Sequence, residues 1–150
     1  MRTDVIAALT DKDDKSACAF AEKIVTESRK SKAWYGCFEE FSSLLDHPKS
    51  YVRNRVLAIL ATNARWDDEN RFDALCDSYL SHITDEKPIT ARQCVQSLAE
   101  VGKAKPSLVP KIRSALQSAD LSRYKESMRP LLEKDIRETL KILSDPAFLK

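Results

Sequence analysis

Apolar residues recur along this sequence with a helical period, and polar stretches or prolines interrupt them at short intervals. Val5, Ile6 and Leu9 predict a short first helix that stops in the polar stretch 10–15. Ala17, Phe20, Ala21, Ile24 and Val25 predict a second, ended by the polar run 27–32. Cys37, Phe38, Phe41, Leu44 and Leu45 share one face of a third helix over 34–45, which His47 and Pro48 close. Ser50 reads as the N-cap of a fourth helix over 51–63. Asp67 or Asp68 caps a fifth, whose Phe72, Leu75, Cys76, Tyr79, Leu80 and Ile83 fit the amphipathic template at every position. Pro88 belongs in the first turn of a sixth helix, and Gly102 reads as its C-terminal stop. A seventh follows Pro106 with Leu108, Ile112, Ala115, Leu116 and Ala119 apolar. Asp120 starts an eighth, and Pro130 either kinks it or opens a ninth over 131–143. Short links between such helices make neighbours antiparallel, so consecutive hairpins are expected.

Two of these segments repeat. Residues 46–63 return 39 residues later as 85–102, each beginning with Asp and carrying Pro soon after (Pro48, Pro88). Arg53 and Arg92 each follow their Asp by seven residues, and Val52, Val56 and Ile59 superpose on Ala91, Val95 and Leu98. A period near 40 residues is the signature of stacked helical pairs, in which each unit leaves an apolar face that its neighbours cover.

Composition narrows the classes further. The 150 residues are expected to form one domain over 1–150, and 43% hydrophobic with 32% charged residues describes a globular chain with a core. Only two glycines are present, which argues against sheet hairpins and against a Gly-rich phosphate-binding loop. No apolar run approaches a membrane span and no signal-peptide core opens the sequence, so the expected location is the cytoplasm, with no membrane contact. Cys18, Cys37, Cys76 and Cys94 each fall on the apolar stripe of a predicted helix and contain no C-x-x-C pair. They read as reduced core thiols, with metal ligation or redox chemistry as the alternative. With His47 and His82 the only histidines, no zinc spacing emerges, and no thiolate cluster suits an iron–sulfur group. No metal and no cofactor are expected.

The Asp46, Pro48, Val52, Arg53 step and its counterpart Asp85, Pro88, Ala91, Arg92 resemble the HEAT-repeat (armadillo-like) family, in particular its small single-domain bacterial members. The match is best over about 33–118. It weakens at the ends, where Cys18 stands in for the Arg and Pro130 for the Asp, as in caps with one solvated face. The resemblance implies an all-α fold: a short right-handed α-solenoid of about four antiparallel helical pairs, with the second helices lining a shallow concave surface. It also implies that Asp46, Arg53, Asp85 and Arg92 form a structural ladder between repeats. On the other reading, the arginines reach the concave surface and grip carboxylates or phosphates bidentately.

Binding rather than catalysis is the expected role. No Ser-His-Asp, Cys-His or paired-carboxylate arrangement follows from the spacing. A protein or peptide partner would meet Tyr51, Arg55, Arg92, Gln93, Gln96 and the surroundings of Trp66 and Tyr124. Trp66, in the polar junction 63–68, either staples that loop to the core or joins Arg65 and His82 in a recognition pocket. The rival class is nucleic-acid binding, since Trp66, Asp67 and Arg92 are similar in type to residues used on HEAT-like DNA-alkylation-repair glycosylases. Against that rival, the basic residues between Lys103 and Arg129 are interleaved with acids, the net charge is +2 and the sequence pI is 8.3.

Overall fold

The computed structural model describes residues 2–146 and, among them, contains helices and turns but no strand. Eight α-helices follow one another: α1 Arg2–Leu9, α2 Asp14–Ser28, α3 Phe38–Ser43, α4 Ser50–Asn63, α5 Arg71–Leu80, α6 Pro88–Ala104, α7 Val109–Gln117 and α8 Arg129–Leu143. The chain divides into two compact units, Met1–Leu75 and Cys76–Lys150, and α5 runs across the division.

In the first unit α1 packs on α2 and α3 on α4, while α1 also meets α3 and α2 meets α4. Two hairpins therefore stack like on like. The starts of α2 and α4 are joined by Arg55, which donates to Leu9 O at 2.9 Å and to Asp14 Oδ1 at 3.2 Å. Their ends are joined by Asn63 Nδ2, which donates to Ser28 Oγ at 3.1 Å, so the two helices run parallel. Leu9, Ile24, Phe38, Phe41, Val56, Leu57, Ile59 and Leu60 are fully or almost fully buried, each contributing about 1.5–3 kcal/mol on transfer from water.

The second unit places α6 against α8, with α7 touching both. Tyr79, Cys94, Val95, Leu98, Ile112 and Leu132 are completely buried. The repeat seen in the sequence is therefore a packing repeat: Val52, Val56, Ile59, Ala91, Val95 and Leu98 all lie in the core. Gly102 does not stop α6; it lies inside it. A Cβ there would come within 2.5 Å of Leu143 Cδ2 and 3.3 Å of Val109 Cγ2, so the glycine allows α6 to approach α8 and α7.

Three further expectations are corrected. Residues 118–128 form turns, not a helix. Asp120 Oδ1 accepts the Ser122 N–H at 3.0 Å, the local bond by which Asp competes with a helix, and Pro130 then lies in the first turn of α8. Ser50 is the first residue of α4 instead of its cap; Lys49 takes the cap position with extended backbone, and its N–H goes to His47 Nδ1 at 3.1 Å. Cys18 is exposed on α2, although Cys76 and Cys94 are buried as expected.

Candidate functional site

The parallel pair α6 and α8 is tied by a forked ion pair. Arg92 Nε donates to Asp135 Oδ2 at 2.6 Å and Nη2 donates to Oδ1 at 3.3 Å. The Asp135 side chain is 6% exposed and that of Arg92 32%, so the carboxylate is buried beneath a guanidinium that still reaches solvent. The hydrogen bond to Asp135 raises the Arg92 pKa above its ordinary value, against the opposing effect of burial. Thr139 Oγ1 donates to Val95 O at 3.1 Å one turn further along both helices.

Ile89 precedes Arg92 by one turn on α6, and Leu131 precedes Asp135 by one turn on α8, so on these parallel helices both apolar residues lie on the N-terminal side of the ion pair. Ile89 is 67% exposed and Leu131 38%. Along α6 the same surface continues through Gln93, which donates to Ser97 Oγ at 2.8 Å, to the exposed Gln96. Of the residues expected at a partner surface, this region brings together Arg92, Gln93 and Gln96. Ile89 and Leu131 were not legible as site residues, because an apolar residue in a periodic segment reads as core.

Asp85 does not pair with Arg92. Its Oδ1 accepts the Lys87 N–H at 2.8 Å, its Oδ2 lies 2.6 Å from His82 Nδ1, and its main-chain carbonyl accepts the Tyr124 hydroxyl at 2.5 Å. Arg53 is the fourth residue after the cap Lys49, and it donates to His47 O at 2.8 Å and Pro48 O at 3.1 Å. Arg92 instead reaches across to Asp135 of α8.

Several expected partner contacts are instead internal. His82 and Tyr124 are buried, the tyrosine ring among Ala91, Leu132, Leu121 and Met128. Burial lifts the Tyr124 phenol to about 12. Arg55 is consumed at the start of α2, as described above. Trp66 is half-buried and its Nε1 donates to Ser28 O at 2.6 Å, which is the stapling role. It lies in the first unit, whereas His82 and Arg92 lie in the second. Asp67 Oδ1 and Oδ2 accept the N–H groups of Arg71 and Phe72 at 2.8 and 2.7 Å, and Oδ1 also accepts the Tyr35 hydroxyl at 2.6 Å. Tyr51 remains 61% exposed at the second position of α4, as Ile89 is at the second position of α6.

Compared with family models, with curated proteins and with solved structures, the chain gives no match. What the site can do follows from its own groups. The surface over α6 and α8 offers two exposed apolar side chains, two amides and a guanidinium, about one-third exposed, already engaged by a carboxylate. Among the described residues no cluster of three or more His, Cys, Asp or Glu has the arrangement of a metal site. No helix among them is long and apolar enough to cross a membrane. Burial pushes the Cys94 thiol well above its ordinary pKa, with the Asp85 carboxylate adding to the effect, which makes it a packing group and a poor nucleophile.

Proposed function

We propose that this protein is a non-catalytic binding module of HEAT type, a short right-handed α-solenoid that docks a protein or peptide segment on the open surface of α6 and α8. The observation that carries the reading is the exposure of Ile89 and Leu131, one turn before Arg92 and Asp135 on the parallel helices α6 and α8. Large apolar side chains held at the surface on rigid helices serve as anchors for a partner, and the adjacent Gln93 and Gln96 amides supply directional bonds at the rim. The HEAT reading draws support from the stacking of like helices within each unit. It also draws support from the two similar helix starts, Lys49–Tyr51 and Lys87–Ile89.

An affinity capture from native extract, run with and without nuclease, tests the class of partner. The reading predicts a protein retained after nuclease treatment. Capture that disappears with nuclease would transfer the function to nucleic-acid binding.

A further inference from the structure

The first unit contains a second feature, independent of the α6 and α8 surface. Val5 and Ala8 of α1, Phe20 of α2, and Trp34 and Cys37 of the link before α3 line a cleft of about 500 Å³. That volume lies within the roughly 300–1,000 Å³ of small-molecule sites, and the lining is mostly apolar, as such sites are. Its aromatic wall is built. The Phe20 and Trp34 rings meet edge to face, with centroids 5.8 Å apart and planes at 89°. The Trp34 indole N–H is occupied by Glu27 Oε1 at 2.8 Å, which fixes the ring and leaves its faces for apolar or cationic contact.

Charge selects the ligand. Among the described residues the one charged side chain in the lining is that of Asp4, and the carboxylate that holds Trp34 is Glu27. An aromatic wall and carboxylates together favour a positive group and disfavour a negative one. We propose that this cleft binds a small amphipathic amine, with an aromatic or branched apolar body against Phe20, Trp34 and Val5 and its ammonium directed to Asp4.

Gly36 provides a clean way to close the cleft. It lines the cavity, it has no left-handed backbone requirement, and a Cβ placed on it meets nothing within 4 Å. Gly36→Phe therefore adds a ring at the wall of the cleft with no clash at its Cβ. The test is calorimetric titration of the full chain with phenylbutylammonium and with its matched anion, phenylbutyrate. The cation is expected to bind with a millimolar or tighter dissociation constant, and the anion about fivefold or more weakly, the size expected of one exposed ion pair with a cation–π contact. Asp4→Asn should bring the two affinities together, and Gly36→Phe should abolish binding of the cation while the melting curve stays in place. Equal affinity for the two probes, no detectable binding of the cation at millimolar concentration, or undiminished binding in Gly36→Phe would each overturn the proposal.

Discussion

Arg92 and Asp135 form a two-bond ion pair between parallel helices, at 2.6 and 3.3 Å, with the carboxylate almost fully buried and the guanidinium about one-third exposed. Removing the arginine strands a buried charge, which costs more than the net worth of the pair. Solvent access on the Arg92 side moderates that cost. Arg92→Ala is therefore expected to lower stability by about 1–3 kcal/mol in chemical denaturation. Asp135→Ala on top of it should add less than it does alone, which a double-mutant cycle would show as a coupling of about 1 kcal/mol or more.

Asp67 serves three donors from two elements: the N–H groups of Arg71 and Phe72 and the Tyr35 hydroxyl. Asp67→Ala leaves the start of α5 without this cap and is expected to cost about 2–3 kcal/mol, combining a lost cap with a lost charged hydrogen bond. Asp67→Asn, which keeps only part of the acceptor capacity, should fall between the variant and the parent in the same denaturation series.

At Gly102 two effects oppose each other. Alanine improves helix propensity by about 1 kcal/mol, but its Cβ meets a Leu143 methyl that is itself buried and has little room to move. Overpacking of this kind costs about 1–3 kcal/mol, so Gly102→Ala is expected to be neutral to destabilising by about 2 kcal/mol. Adding Leu143→Ala should convert the Gly102→Ala change into a gain, measured as the difference between the melting curves of the Leu143→Ala single variant and the double variant.

Burial raises the Tyr124 phenol from 10.0 to about 12. The unfolded chain loses this proton first. The contribution to stability is thus whole below pH 10 and is lost as pH climbs through about 12. Denaturation midpoints followed from about pH 9 upward should fall more steeply in the parent than in Tyr124→Phe, which has no phenol to ionise.

What was legible in the sequence was what depends on spacing along one chain segment. The apolar stripe of α4 and its recurrence in α6 gave the packing positions Val52, Val56, Ile59, Ala91, Val95 and Leu98, all buried. The junction 63–68 gave Asp67 as one of two possible caps for α5 and Trp66 as a possible staple. What failed depends on distant partners. Nothing near Tyr124 in the sequence announces that its hydroxyl will find the Asp85 carbonyl 39 residues away, or that Arg55 will close the end of α1. Arg92 was expected to meet Asp85 because each repeat sets its Arg seven residues after its Asp, the step that resembles the HEAT-type ladder. Its actual partner, Asp135, lies 43 residues further along the chain, where local spacing records nothing of it. Ile89 and Leu131 were invisible as surface anchors, since periodicity marks an apolar residue without recording whether any element covers it.

The central claim is tested most directly by quantitative capture with a variant in which Ile89→Ser and Leu131→Ser are combined. Ile89 is 67% and Leu131 38% exposed, so the variant should stay folded with a melting temperature close to that of the parent. The account predicts that a protein partner retained by the parent after nuclease treatment is lost, or held at least about tenfold more weakly, by the double variant, as for removal of two interface anchors. Undiminished capture of that partner by a correctly folded double variant would contradict it.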